Sequence, residues 1–295
     1  MTGWSGGDVG ARASCVLAPN PSPMTLDGTN TWVLREPGAS RCVVVDPGPM
    51  IGTHLDSVVA RAEAEAGQVA VVLLTHGHPD HAEAARAFAE RVGCPVRALD
   101  PAHRYGDEGL VGGDVISVDG LEIRVVGTPG HTSDSLSFVV PAERAVLTGD
   151  TVLGRGTTVV AHPDGELGAY LDSLRRLREL AESQEVVAVW PGHGPVVDDA
   201  LPVLDFYLAH RAERLGQVRA ALAALSTEEL SEKPTRRSPG RPSLPPDTGS
   251  TESTASTGSL ARRVVEIVYA DVDPVLWPAA ELSVRAQLAY LRELR

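Results

Sequence analysis

Short apolar runs, each ended by glycine, proline or another turn-forming residue, alternate with amphipathic segments over most of the chain. The runs predict strands at 31–34, 42–45, 69–74, 115–118, 121–126, 135–140, 145–147 and 186–190. Helical spacing predicts helices at about 55–66, from Pro79 or Asp80 to Gly93, and at 168–183. The dipeptide Asp119-Gly120 between two runs favours a two-residue hairpin turn. This mixture predicts an α/β fold in which two sheets are sandwiched between helices.

The pattern changes after about residue 202. Leucine and valine recur at helical spacing through 203–226, which predicts one long amphipathic helix. Between 231 and 260, 20 of 30 residues are Ser, Thr, Pro or Gly. We therefore expect a disordered insert at about 231–259, with order returning near Arg262. The chain is expected to have two domains, 1–202 and 203–295.

The formal net charge of −13 is carried by the first predicted domain. Residues 1–202 contain 14 Lys+Arg and 27 Asp+Glu, whereas residues 203–295 contain 12 of each. Binding to nucleic acid relies on Lys and Arg side chains that neutralise phosphates. The charge balance therefore weighs against a general polyanion binder.

Three cysteines, Cys15, Cys42 and Cys94, form no C-x-x-C pair, and their odd number favours a reducing compartment over a disulfide framework. The first residues lack the basic and apolar regions of a signal peptide. No apolar run approaches the roughly 18 residues that a membrane span needs. We predict a cytoplasmic protein that does not associate with a membrane.

The most informative polar segment is Thr75-His76-Gly77-His78-Pro79-Asp80-His81, which directly follows the predicted strand 69–74. Three imidazoles and a carboxylate would then crowd together at the end of one strand. Such crowding is costly unless a cation offsets the desolvation of these groups and orients them. The segment therefore predicts a metal site.

The H-x-H-x-D-H spacing resembles that of the metallo-β-lactamase superfamily. Three further motifs of the superfamily follow in order, each just past an apolar strand: Pro129-Gly130-His131, Gly149-Asp150-Thr151 and Pro191-Gly192-His193. Residues 25–34 (TLDGTNTWVL) and the region from His210 to Leu294 are similar to the beta-lactamase-like protein 2 family. The resemblance covers nearly the whole chain except the insert.

The resemblance implies an αββα metallo-β-lactamase sandwich followed by a small, helical, winged-helix-like domain. A final helix is expected at about 281–294, directly before Arg295, so we do not expect a complete winged helix with its wing strands.

The resemblance also implies a site with two divalent metal ions. One would be held by His76, His78 and His131, the other by Asp80, His81 and His193, and Asp150 would bridge them. Imidazole and carboxylate ligands suit zinc and are compatible with manganese or iron. A metal-bound hydroxide would be the nucleophile. Asp80, as the catalytic residue, would both bind a metal and orient that nucleophile.

The activity that the resemblance implies is that of a metal-dependent hydrolase. A bridging Asp150 is typical of the thioesterases, ribonucleases and phosphodiesterases of the superfamily and not of its true β-lactamases. Our first hypothesis is hydrolysis of a thioester or ester on a small molecule or an acyl carrier. The alternative is a single-stranded RNA endoribonuclease or another phosphodiesterase, which the acidic charge and the few aromatic residues disfavour. A non-catalytic metal or interaction protein is a third hypothesis, and the complete ligand set disfavours it.

Asp46 follows a predicted strand and precedes Pro47-Gly48, as an early aspartate of the superfamily does. We expect it either to orient a metal ligand or to be a simple turn residue. Of the remaining histidines, His54 is expected to be solvated at a helix start and His103 to lie in a polar loop. His162 is expected either to reach the rim of the pocket or to have no role.

Overall fold

The structure is a computed structural model that describes residues 3–231 and 252–294. Its chain divides into two compact units. The first comprises Met1–Val160 and Asp164–Leu208, and the second comprises Ala161–Pro163 and Ala209–Arg295. Among the helices of the described residues, none combines the length and hydrophobicity that a membrane span requires.

The first unit contains a six-stranded sheet. Its strands follow chain order: β1 (Gly7–Val9), β2 (Ala13–Leu17), β3 (Asn30–Leu34), β4 (Arg41–Val45), β5 (Gln68–Leu73) and β6 (Val96–Arg97). The first four strands pair antiparallel, whereas β5 is parallel to both β4 and β6. The parallel connections need crossovers, which α1 (Gly52–Ala62) and α3 (Ala85–Val92) provide.

A five-stranded sheet forms the second layer. Its spatial order is β11 (Ala188–Pro191), β10 (Ala145–Gly149), β9 (Leu136–Val140), β8 (Leu121–Gly127) and β7 (Val115–Val118). The predicted hairpin is confirmed, since Val118 pairs with Leu121 across Asp119 and Gly120. Both turn residues have positive φ, 47° and 95°, as a two-residue turn between twisted strands requires.

Two hydrophobic cores hold the layers together. One lies between the sheets and includes Trp32, Phe138 and Trp190, all nearly inaccessible to solvent. The other packs Val58 of α1 and Phe88 of α3 against the outer face of the first sheet. In the second half of the first unit, α4 (Leu167–Glu182) buries a face that includes Leu171, Leu174 and Leu177. The predicted αββα sandwich is thereby confirmed.

Two local features differ from the sequence-based expectation. The helix expected from Pro79 to Gly93 is divided into α2 (Pro79–Ala82) and α3, because the Ala84 N–H donates to Gly48 O (3.1 Å) instead of to its own helix. Strands β1 and β2 were not predicted. Gly93 ends α3 in the left-handed conformation (φ 74°), as expected.

The second unit is helical. It contains most of α5 (Ala200–Ser231), together with α6 (Glu252–Val268) and α7 (Trp277–Glu293), around a core that includes Val218, Val264 and Val284. Helix α6 begins at Glu252, ten residues before Arg262, where we expected ordered structure to resume. Once one part of a helix is stabilised by packing, each further residue extends it at little additional cost in free energy. Residues 232–251 of the expected disordered insert lie outside those that the structure describes.

Candidate metal centre

The candidate ligands lie just beyond the carboxyl ends of four strands. The segment from His76 to His81 follows β5 of the first sheet. His131 follows β8, Asp150 follows β10 and His193 follows β11, all in the second sheet. Both layers of the sandwich therefore contribute to one site, and the structure brings all seven predicted ligands together.

Four of these residues, His76, His78, His131 and Asp150, form a first cluster. Nδ1 of His78 lies 3.1 Å from Nε2 of His76 and 3.1 Å from Nε2 of His131. Asp150 Oδ2 lies 3.7 Å from Nε2 of His131. Three ring nitrogens thus converge on one small volume.

Asp80, His81 and His193 form the second cluster. Nε2 of His81 lies 3.3 Å from Nε2 of His193. Asp80 Oδ2 lies 3.2 Å from Nε2 of His193 and 3.5 Å from Nε2 of His81. Two ring nitrogens and a carboxylate oxygen therefore lie close together in this cluster.

Asp150 contacts both clusters. Its Oδ1 lies 3.3 Å from Nε2 of His81, and its Oδ2 lies 3.3 Å from Nε2 of His193 as well as close to His131. Oδ1 is buried, and no hydrogen bond of good geometry reaches it from the described residues. A buried carboxylate oxygen without a donor is costly, and a cation between the clusters would satisfy it.

The rings of His131 and His193 are each oriented by a hydrogen bond from the nitrogen that faces away from the centre. Nδ1 of His131 donates to Val159 O (2.7 Å), and Nδ1 of His193 donates to Gly28 O (3.1 Å). Because Nδ1 donates in each case, Nε2 is the ring nitrogen that is left to bind a cation, either directly or in exchange for a proton. Metal-binding histidines are typically held in this way, so the donor set fits a cation.

Asp46 orients His81 in the same manner. The carboxylate is buried and accepts from Nδ1 of His81 (2.9 Å), from the Thr75 N–H (2.8 Å) and from the Thr75 hydroxyl (2.6 Å). Its backbone is left-handed (φ 51°), a conformation that Asp and Asn adopt more readily than most residues. The three contacts favour the orienting interpretation of Asp46 over that of a simple turn residue.

Charge compensation within the site shifts several pKa values. Burial opposes ionisation of Asp80, but the nearby charge of His81 outweighs it and lowers the Asp80 pKa to about 2. Burial also favours neutral His193, yet Asp150 outweighs it and raises the His193 pKa to about 9. The pKa of His81 is raised against burial by Asp150 and Asp80. Protons on these imidazoles thus balance the carboxylates, a role that a bound cation can take over.

The first cluster behaves differently. Burial lowers the pKa of His76 well below its usual value, and it also lowers the pKa of His131. Both imidazoles are therefore held in the neutral form, which is the form that binds metals.

Two glycines allow the close approach of these loops. A Cβ at Gly192 would lie 2.6 Å from Asp150 Oδ1 and 2.7 Å from Cε1 of His81, within the site itself. A Cβ at Gly130 would lie 2.3 Å from the backbone nitrogen of Tyr170, and Gly130 also has a positive φ of 133°. Any larger residue at either position would displace a ligand-bearing loop.

Sequence reasoning missed Gly28 and Thr29 as parts of the site. Gly28 O orients His193, and the Thr29 hydroxyl donates to Asp80 Oδ2 (3.3 Å). Both residues lie in the segment 25–34, which contributed only to the family resemblance. The sole available signal was a run of polar residues immediately before a strand.

The other histidines lie apart from the two clusters. The expectation of a solvated His54 is wrong, since the ring is buried with Nε2 2.9 Å from Thr31 Oγ1, and burial lowers its pKa to about 4. His103 lines a groove with Gly77 and Pro79. His162 belongs to the second unit, where its N–H donates to Leu282 O (3.4 Å) and the residue is exposed.

Comparison with known families gives two matches along the chain. Residues 24–193 match the model of the metallo-beta-lactamase superfamily, and residues 261–294 match that of the beta-lactamase associated winged helix domain. The first match spans the strand β3, both clusters and every strand end that carries a candidate ligand.

Among curated relatives, the chain is 31% identical over 209 residues to the beta-lactamase-like protein 2 homolog of Caenorhabditis elegans, covering 68% of this chain and 67% of the relative. It is 33% identical over 226 residues to the atrochrysone carboxyl ACP thioesterase of Aspergillus fumigatus, covering 74% of this chain and 67% of the relative.

A solved structure with a similar fold is a beta-lactamase domain protein from Burkholderia ambifaria, with a TM-score of 0.72 at 22% identity, covering 98% of this chain and 88% of that one. Another is a metallo-beta-lactamase family protein from Thermus thermophilus, with a TM-score of 0.67 at 21% identity, covering 96% and 93%. These two likenesses concern the fold alone.

Proposed function

The chain belongs to the metallo-β-lactamase superfamily and is a hydrolase of that superfamily, and we propose that it cleaves a thioester or ester at a centre of two divalent metal ions. The observation that carries this proposal is the position of Asp150, whose carboxylate contacts buried imidazoles of both clusters: Oδ1 faces His81, and Oδ2 lies between His193 and His131. A carboxylate in that position suits a bridge between two cations.

The proposed ligands are those that the family resemblance implies. One metal would be bound by His76, His78 and His131, the other by Asp80, His81 and His193, and both by Asp150. We propose zinc, because the donors are imidazoles and carboxylates in two compact sets, while manganese and iron accept the same donors. The bound metals would supply polarisation of the substrate carbonyl and activation of water at neutral pH.

Asp80 is the proposed catalytic residue. Its pKa near 2 keeps the carboxylate ionised at neutral pH, so it can accept a hydrogen bond from the attacking water. The Thr29 hydroxyl donates to Oδ2 and thereby restricts the orientation of the carboxylate. Asp80 is also the least buried member of its cluster, which leaves it accessible to a substrate.

A thioester suits this set of groups. A thiolate is a good leaving group at neutral pH, because thiols have an ordinary pKa of about 8.5, and its departure requires no dedicated acid. The relative from Aspergillus fumigatus is named as a thioesterase that acts on an acyl carrier protein, which supports an acyl-carrier or small-molecule thioester here. The acidic first domain further favours a substrate that is not a long polyanion.

The alternative of a single-stranded RNA endoribonuclease gains no support from the relatives described above, and it enters the experiment as a competing arm. We assign catalysis to residues 1–202 and the winged-helix-like domain to 203–295. The prediction of a cytoplasmic location continues to rest on the cysteines, all three of which are buried and unbridged.

The proposal is tested by a paired turnover assay on zinc-loaded and manganese-loaded protein, with Asp80→Asn as the control. One arm offers acyl thioesters on coenzyme A and on an acyl carrier protein, and the other offers a labelled single-stranded RNA. Thioester hydrolysis that is lost in the variant is the expected result. Cleavage of RNA alone would overturn the choice of substrate, and a protein that binds no metal would overturn the mechanism.

A further inference from the structure

Asn30, the first residue of β3, is a buried amide whose hydrogen-bonding groups are all used. Its Oδ1 accepts from the indole N–H of Trp4 (2.8 Å) and from the thiol of Cys15 (3.2 Å). Its Nδ2 donates to Pro191 O (2.9 Å) and to Gly194 O (2.9 Å). An amide can donate two hydrogen bonds and accept two, so its orientation is fixed by four partners.

The two carbonyl groups that accept from Nδ2 of Asn30 lie on both sides of His193 in the chain. Pro191 and Gly194 lie on either side of the Gly192-His193 pair, and the backbone N–H of Asn30 also donates to Gly192 O (2.8 Å). One residue therefore holds three of the four carbonyl groups in the segment 191–194. These carbonyl oxygens are directed at Asn30, while Nε2 of His193 is directed at Asp80 and Asp150.

We propose that Asn30 is a positioning residue that fixes the segment 191–194 so that His193 can bind the second metal. The metal part of this inference rests on the proposed function. Only a side chain with two adjacent N–H donors can serve two carbonyl oxygens at once, which explains why an amide is needed. An aspartate of the same shape would place a carboxylate oxygen against those carbonyls, and the segment would be repelled.

The effect of Asn30 is specific to one of the two clusters. His76, His78 and His131 belong to segments that follow β5 and β8, whereas Asn30 holds the segment that follows β11. Outer contacts that orient a metal ligand typically change metal affinity by about 10–100-fold when they are removed. Loss of the amide should therefore weaken the second metal and leave the first nearly unchanged.

The experiment compares full-length wild-type protein with Asn30→Asp and with the matched control Trp4→Phe. The control removes one bond to Oδ1 but leaves both donors of Nδ2 in place. Stepwise zinc titration of metal-free protein gives the two dissociation constants. We expect the weaker, second-site constant of Asn30→Asp to rise about 10–100-fold, with the first-site constant and both constants of Trp4→Phe changing less than about threefold.

A second readout needs no metal. Hydrogen exchange of metal-free protein, followed on peptides that contain Gly154 and Gly192, monitors the amides that donate to His193 O and Gly149 O. In Asn30→Asp these amides should exchange faster, while peptides from β7 and β8 should not change. Asn30→Ala, which lacks both side-chain donors and introduces no charge, is measured in the same way and tests the positioning role if Asn30→Asp does not fold.

The outcomes separate this inference from the proposed function. Unchanged exchange in the segment together with an unchanged second-site constant would overturn the positioning role. Equal weakening of both sites, or an equal effect in Trp4→Phe, would also overturn it, because either would indicate a general loss of packing. A wild-type protein that binds fewer than two metals would refute the dinuclear centre, and the exchange measurement would still decide whether Asn30 positions the segment.

Discussion

Oδ2 of Asp46 lies 2.9 Å from Nδ1 of His81, and the same carboxylate also accepts two hydrogen bonds from Thr75, one residue before the first candidate ligand. A single acidic side chain thereby determines which nitrogen of His81 carries the proton and how the ligand-bearing segment leaves β5. The ring can bind a metal through Nε2 only while Nδ1 keeps its proton.

Asp46→Asn tests this dependence. Asparagine tolerates the left-handed backbone at this position, but its amide group cannot accept from the Thr75 N–H, the Thr75 hydroxyl and His81 together. We expect the fold to persist and the affinity for the second metal to fall about 10–100-fold, measured by competition with a chelator of known affinity. Asp119→Asn, at another left-handed aspartate far along the chain in a hairpin, should leave metal affinity unchanged.

Asp80→Asn should retain the fold and at least one metal while turnover falls by about 10²–10⁴-fold, because the uncharged amide is a weaker hydrogen-bond acceptor for the attacking water and a weaker metal ligand than the carboxylate. Steady-state kinetics and metal analysis of the same preparation measure both quantities. Asp56→Asn, at an exposed residue paired with Arg91, provides the control for an arbitrary loss of one carboxylate. Wild-type turnover in Asp80→Asn would refute its catalytic role.

Gly192→Ala should abolish metal binding while it lowers the free energy of unfolding only modestly. The added methyl group would lie 2.6 Å from Asp150 Oδ1 and 2.7 Å from His81, where a metal would have to approach, and the glycine does not have a left-handed backbone. Wild-type protein at a zinc concentration of 100 times its dissociation constant should gain about 2.7 kcal/mol of stability. The variant should gain almost none in the same thermal denaturation experiment.

Gly127→Ala is the matched control for that substitution. A Cβ at Gly127 would meet no atom within 4 Å, so the same chemical change falls on open space. It should show the full stabilisation by zinc. If Gly192→Ala also showed it, the close packing of this loop against Asp150 would not limit access to the metal.

His54 should make the protein sensitive to acid. Its pKa falls from 6.5 in the unfolded chain to about 4 in the folded protein because the ring is buried. Above pH 6.5 neither state is protonated and the fold has its full stability. As the pH falls from 6.5 to 4, the unfolded state binds a proton at His54 that the folded state does not bind. The free energy of unfolding therefore decreases.

The contribution of His54 is measured by comparison with His54→Gln, which cannot titrate. Urea denaturation of both metal-free proteins between pH 7 and pH 4.5 gives the number of protons bound on unfolding. Wild type should bind up to about one proton more than the variant, which corresponds to roughly 1–3 kcal/mol over the window. Equal slopes for the two proteins would show that the pKa of His54 is the same in the folded and the unfolded state, which would contradict the lowered value.

Features with a local signal were predictable from the sequence. The turn at Asp119-Gly120 depends on two residues that tolerate positive φ, and the candidate ligands from His76 to His81 occupy one short segment. The remaining three ligands could be predicted only through a resemblance, because each lies alone at the end of its strand. Their convergence with the first segment is a property of the two packed sheets.

Features that depend on distant partners had no such signal. Strands β1 and β2 are short and contain few large apolar residues, so they become recognisable only by pairing next to β3. His54 is a polar residue, so the hydrophobic pattern of its helix predicts that it faces solvent, whereas the structure places it on the buried face. Asn30 bonds to residues more than 160 positions away, and nothing near it in the sequence indicates that contact.

Because the candidate ligands are divided between two sheets, they become available at different times while the chain is synthesised. Residues 76–81 emerge early, but His193 arrives only after β11, the last strand of the sandwich. Until that strand has paired with β10, the nascent chain has all four residues of the first cluster but lacks His193 of the second. If the proposed centre binds two metals, full loading would be a late event that requires a completed sandwich, and an unfinished chain would have a lower affinity for the ion than a finished one.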